Sequence, residues 1–319
     1  MLKASRWILM IAAVGSLFAQ NTASPMTPAR DAPSQLAGST IPGNVEVQRD
    51  VQYCMGGGHP LLLDLYLPKN RTRTLAPAVL WIHGGGWRIG DKRDSRLALI
   101  LAAEGFVTAS ANYRLSGEAP FPAAIEDTKC AVRYLRANTA KYGIDAGRIG
   151  VAGASAGGHL ALLIATAHES AGLEGSGGWP GVSSRVNAVL SWYGPADFSV
   201  GPSAFERGSG PSIIAFLGGT PEQSPANYRN ASPVTWVAKD DPPLLMFHGN
   251  EDTTVPFDQS LRMEGAYRKA GLNVELVKVE NAGHNFTPAG DKPISPTLEQ
   301  IRAKSVAFFQ RNLMSGGLK

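Results

Sequence analysis

Cysteine is nearly absent: Cys54 and Cys130 are the only two in 319 residues. A pair so few and so far apart excludes a disulfide-built scaffold and offers no metal-ligand spacing. Charge is sparse too, at 18% of residues, and no Lys/Arg cluster is interleaved with aromatics, which argues against a nucleic-acid partner. The formal net charge is +4, and Lys3 and Arg6 contribute to it just ahead of an apolar run. That run, residues 7–18, is too short to span a bilayer, so no integral membrane span is expected in the mature chain. No fixed-period repeat is found, which excludes solenoids and propellers.

What is present is enough apolar material, 44% of residues, to bury a sizeable core. Residues 1–19 combine a basic start with the apolar run and read as a signal peptide, which implies a secreted or periplasmic protein. Residues 20–44, rich in Ser, Thr, Pro and Ala, read as a flexible lead, and one folded domain is expected over 45–319. In an exported chain Cys54 and Cys130 could be bridged. Cys130 also lies on the Ile125, Val132 and Leu135 side of a helical stretch, where a buried thiol fits at least as well.

From residue 45 onward, runs of strand length alternate with helical stretches. Strands are expected at 45–53, 61–67, 78–82 and 106–111, just before Ser155, and at 186–192, 244–247 and 274–279. Helices are expected at 95–104, 120–142, 156–167, 257–270 and 296–313. The alternation implies an α/β fold: a mostly parallel, twisted sheet of about eight strands, helices on both faces, and reactive groups at the carboxyl ends of strands. Residues 193–241 interrupt the pattern and read either as a small, partial lid or as a surface excursion.

The run Gly153-Ala154-Ser155-Ala156-Gly157 stands where a strand gives way to an alanine-rich helix. In so tight a turn a side chain at 153 or 157 would collide with neighbouring backbone, leaving Ser155 exposed at the tip. Holding a serine there costs about 1–3 kcal/mol, a strain usually kept for function. With 36 glycines in the chain, the pattern alone is weak and needs partners. His83-Gly84-Gly85-Gly86-Trp87 is far more specific. Its glycines let backbone N–H groups converge on one point, so Gly85 and Gly86, with the N–H of Ala156, are candidate oxyanion donors. A serine nucleophile needs a base, and the base needs an orienting carboxylate. His284, beyond the last strand, is the candidate base. Asp252, in a polar turn after the strand at 244–247, is the candidate acid, with Glu251 its competitor and Asp258 third. His248, at the end of that strand, reads as a core or supporting residue.

Together with Gly90-Asp91-Lys92, Asn112-Tyr113-Arg114 and Ala231-Ser232-Pro233, these motifs resemble the alpha/beta-hydrolase superfamily. Within it the chain is similar to secreted esterases near the feruloyl and acetyl-xylan esterase branch, with hormone-sensitive-lipase-like esterases next. Two positions depart from the family pattern: Asn250 stands where an Asp is frequent, and Asn285 replaces the second glycine of Gly-His-Gly-Phe. The resemblance implies a serine carboxylesterase working through an acyl-serine intermediate, with no metal and no organic cofactor. Its substrates would be short-chain or aromatic acyl esters, as small molecules or on acetylated or feruloylated plant polysaccharides. A prolyl-oligopeptidase-like peptidase, an aryl-formamidase and a non-catalytic binding module are the alternatives. Trp87, Trp192, Tyr193 and Phe198 are candidates to line the acyl or alcohol pocket, although large aromatics are ordinarily core.

Overall fold

The computed structural model describes residues 40–69, 75–205 and 209–314. The signal-peptide reading and most of the flexible lead lie outside the described residues. β1 (Val45–Gly56) and β2 (His59–Pro68) form a hairpin about Gly57 and Gly58. There follow β3 (Ala76–Ile82), α1 (Arg96–Ala103), β4 (Val107–Ala111), α2 (Ala123–Ala137), α3 (Thr139–Tyr142), β5 (Ile144–Ala154) and α4 (Ala156–Thr166). The second half carries β6 (Ala188–Trp192), α5 (Ser209–Leu217), α6 (Pro225–Asn230), β7 (Leu244–Gly249), α7 (Asp258–Lys269), β8 (Val274–Val279) and α8 (Leu298–Phe309).

The strands form one eight-stranded sheet in the order β1-β2-β4-β3-β5-β6-β7-β8. β2 pairs antiparallel with both its neighbours, and the other pairs are parallel. Parallel strands are covered on both faces, so alternate side chains of one strand enter different cores. Leu80, Val151, Val189 and Met246 meet Ile125 of α2, Leu160 of α4 and Met263 of α7 on one face. Val79, Trp81, Ala152, Leu190 and Phe247 meet Leu97 and Leu101 of α1 and Phe308 and Phe309 of α8 on the other. α8 runs into a wider turn, Gln310–Met314, that closes over β5. A Cβ built on Gly150 would lie 2.7 Å from Phe309 and 3.0 Å from Leu313, and Arg148 donates to the Leu313 carbonyl.

Three expectations need adjustment. The single helix over 120–142 is broken at Asn138, whose backbone leaves the helical region at φ −105° and ψ 27°, while its backbone N–H and side-chain amide both donate to the Tyr134 carbonyl and close the end of α2. Gly143 then ends α3 in the left-handed region. The final helix starts at Leu298, set by a capping box between Thr297 and Gln300. Cys54 and Cys130 are joined in a disulfide that ties the end of β1 to α2, so the free buried thiol is ruled out. Residues 193–241 contribute no strand among the described residues; they hold α5, α6 and short 3-10 turns. No described helix is long and apolar enough to cross a membrane.

Candidate active site

Ser155 ends β5 and opens α4 with φ 52° and ψ −119°, a conformation that non-glycine residues rarely adopt. The surrounding backbone leaves no room for anything larger than glycine on either side. A Cβ at Gly153 would lie 2.2 Å from the Gly157 carbonyl oxygen, and one at Gly157 would lie 2.1 Å from that of Ile82. The Ser155 N–H donates to the Trp192 carbonyl at 2.9 Å, which fastens the turn to the end of β6.

His284 comes from the loop after β8 and Asp252 from the turn after β7. His284 Nε2 lies 3.0 Å from Ser155 Oγ, and Nδ1 lies 2.7 Å from Asp252 Oδ2. Asp252 Oδ1 accepts the N–H groups of Thr254 and Val255, both at 2.9 Å. Burial would push this carboxyl up, but hydrogen bonds from His248 and His284, the charge of His284 and the Val255 N–H outweigh it and hold Asp252 well below the usual carboxylate range. An ionised acceptor at Oδ2 places the imidazole proton on Nδ1, so the Nε2 lone pair faces the serine hydroxyl. The rival acids are engaged elsewhere: Glu251 accepts from Asn250, and Asp258 pairs with Arg262. Asn285 and Phe286 have φ 61° and 57°. Asparagine tolerates left-handed backbone better than most residues, which accounts for its standing in place of glycine.

The glycine loop passes beside the serine. A Cβ at Gly84 would lie 3.3 Å from Ser155 Cβ, and at Gly85, φ 104°, it would lie 2.1 Å from the Ile89 carbonyl oxygen, so glycine is required there. Among the described residues no backbone acceptor takes the N–H of Gly85, Gly86 or Ala156. His83 stacks on Tyr113 with ring centres 4.4 Å apart and donates from Nδ1 to the Gly84 carbonyl. Burial lowers its pKa to about 4, so it sits neutral beneath the loop. Tyr113 donates to the His83 carbonyl, and Asn112 accepts the Lys92 N–H and donates to Asp91. The motifs around 91 and 112 thus brace this loop, a task that no residue type in them announces.

The aromatic expectations divide. Trp87 is buried, stacked on Phe216 at 4.4 Å and donating to His159. Phe198 is fully buried beside it. Both are core beneath the loop rather than pocket lining, because they fill the space between α4 and the 193–241 segment. The Trp192 ring packs edge-on against Trp81 and Phe286, and its carbonyl, not its indole, reaches the serine turn. Tyr193 places its ring edge-on to His284 at 4.7 Å. Helix α5 reaches the site from the opposite side: Ser209 Oγ donates to the Thr254 carbonyl at 3.0 Å, and Ser212 Oγ lies 3.5 Å from a Cβ built on Gly86.

Among the described residues, His168, Asp240 and Asp241 are the grouping with metal-ligand proximity. They lie at the amino ends of the strands, away from Ser155, near a cleft of about 420 Å³ lined by Arg136, Val186, Asn187 and Pro243. Arg185 already supplies a cation there, donating to His168 Nδ1 at 3.1 Å and pairing with Asp240 at 2.9 Å.

Residues 63–267 match the sequence model of the family described as BD-FAE. Esterase LipQ of Mycobacterium tuberculosis is 32% identical over 245 residues, 74% of this chain and 56% of LipQ. The chain spans about half the length of the curated relatives it matches. A truncated carbohydrate esterase from gut microbiota superposes with a TM-score of 0.72 at 28% identity, covering 89% of this chain and all of that one. Esterase 2 of Thermogutta terrifontis with propionate bound gives 0.70 at 26% identity, covering 90% of this chain and 98% of that one. The same esterase has been solved phosphorylated by paraoxon. The family match over more than half the chain, and a sheet that carries Ser155, Asp252 and His284 at the carboxyl ends of β5, β7 and β8, give one conclusion: the chain has the alpha/beta-hydrolase fold and belongs to the BD-FAE family.

Proposed function

We propose that this chain is a carboxylic ester hydrolase acting through an acyl-serine intermediate. The observation that carries the reading is His284, within hydrogen-bond reach of Ser155 on one nitrogen and of Asp252 on the other. Nε2 takes the serine proton as Oγ attacks the ester carbonyl, and Asp252 stabilises the imidazolium that forms. The carbonyl oxygen becomes an oxyanion held by the N–H groups of Gly85, Gly86 and Ala156, each donor contributing about 3 kcal/mol to the transition state. His284 returns the proton to the departing alcohol. Water, deprotonated by the same nitrogen, then attacks the acyl-serine and releases the acid.

Short-chain or aromatic acyl esters, including those on plant polysaccharides, are the substrates this reading favours. The carbohydrate esterase and the propionate-bound esterase among its structural neighbours support it. The 193–241 segment acts as a partial lid, supported by the reach of α5 to both the glycine loop and the acid turn. The protein acts outside the cytoplasm, supported by the Cys54–Cys130 disulfide, since such bonds persist in oxidising compartments.

The test is hydrolysis of aryl acetate, butyrate, octanoate and ferulate, beside acetylated xylan and an aryl amide. Ser155→Ala is expected to fold normally and to lose ester turnover by roughly 10⁶-fold. Paraoxon is expected to phosphorylate the wild type and to leave Ser155→Ala unlabelled. Turnover by purified Ser155→Ala near that of the wild type would overturn the mechanism, and preferred cleavage of the amide would overturn the substrate class.

A further inference from the structure

His248 stands at the end of β7, four positions before Asp252, and its ring is fully buried. Nε2 lies 2.8 Å from the Val255 carbonyl oxygen and 3.4 Å from Asp252 Oδ2. Both are acceptors, so Nε2 must carry a hydrogen. Nδ1 lies 2.7 Å from Oγ of Ser260, a buried residue of α7. In the Nε2–H tautomer the Nδ1 lone pair accepts from that hydroxyl, and every polar atom of the ring is satisfied.

These bonds close a loop around the acid. Val255 N–H holds Asp252 Oδ1, Val255 C=O holds His248 Nε2–H, and the same N–H faces Oδ2. The backbone bonds on Oδ1 alone would leave the carboxylate free to tilt about them. The second direction of approach, from His248, fixes its plane so that Oδ2 meets His284 Nδ1. We propose that His248 is a positioning residue for Asp252 and that Ser260, donating to Nδ1, holds the ring in the orientation in which it acts. The proposal rests on the acyl-serine reading above and extends it to residues that do not reach the serine. Simple packing predicts something different: the ring edge lies against Phe257, and a second aromatic would fill the same space.

The experiment is a double-mutant cycle on an aryl acetate with wild type, His248→Phe, Asp252→Asn and the double variant. His248→Phe is expected to lower kcat by roughly 10²-fold, the cost of an ångström-scale misplacement, with KM unchanged. His248→Gln, whose amide N–H reaches the same position, is expected to restore most of the loss. In the Asp252→Asn background His248→Phe is expected to add almost nothing, because no carboxylate remains to be positioned. An equal loss in both backgrounds, or full kcat in folded His248→Phe, overturns the proposal. If His248→Phe does not fold, Ser260→Ala repeats the cycle with the ring retained, and Ser260→Thr serves as its rescue. An inactive Ser155→Ala beside a non-coupled cycle sinks this inference alone, whereas an active Ser155→Ala sinks the acyl-serine reading beneath it.

Discussion

At the scale of single residues, Gly157 shows how strictly the serine turn is built. Its missing side chain lets α4 start in contact with the end of β3. Gly157→Ala puts a carbon 2.1 Å from the Ile82 carbonyl oxygen, and backbone cannot yield as a flexible side chain would. The expected cost is about 3 kcal/mol in urea unfolding, together with loss of ester turnover as Ser155 shifts. Unchanged stability and activity would show that the turn is looser than described. The meeting of Ser155, Asp252 and His284 was legible in the sequence because the chemistry proposed for them restricts residue type, order and position after a strand. Trp87 and Phe198 were not separable from pocket residues, since a large aromatic serves a core and a binding site equally well. Tyr113 and Asn112 were visible as a motif, but their work, Tyr113 on the His83 carbonyl and Asn112 on Asp91 and Lys92, depends on contacts between distant segments and leaves no local pattern.

At the scale of elements, the alternation of apolar runs located all eight strands, because parallel strands need continuous apolar stretches and helices between them. The break between α2 and α3 was hidden, since Asn138 is an acceptable helical residue and only its backbone, turned out of the helical region, marks the end of α2. The disulfide was equally undecided from sequence: Cys130 faces the core whether or not it is bridged, and only the packing of β1 against α2 brings Cys54 to it. The bridge closes a loop of 76 positions, for which chain entropy gives a stabilisation of about 4 kcal/mol. Cys54→Ala/Cys130→Ala is therefore expected to unfold at markedly lower urea concentration than the oxidised wild type. The reduced wild type should match the double variant, and equal midpoints for oxidised and reduced protein would contradict this.

At the scale of the whole molecule, buried histidines set the response to acid. His83 and His159 are both lowered to about 4, chiefly by burial, against about 6.5 in an unfolded chain. Their contribution is complete above pH 6.5 and is lost as pH falls towards 4, because the unfolded state binds protons that the native state refuses. Asp241, raised to about 6 mainly by burial, runs the other way: it favours the native state at low pH and withdraws that support as pH rises. Two groups against one leave a net loss of stability on acidification. Asp252, held below the usual range, deepens the loss under about pH 4. Thermal unfolding from pH 7.5 to 4.5 is expected to show a Tm that is level down to about pH 6.5 and falls below it, and a Tm that stays flat or rises below pH 6.5 would contradict this.

The wide turn after α8 seats Phe309 and Leu313 directly over Gly150, on the strand that leads to Ser155. A nascent chain emerging from its amino end therefore completes the serine turn's support last. The central strand lacks that cover at Gly150 until about 160 further residues have been made, so the support arrives as one event, when Phe309 and Leu313 dock, rather than growing with length.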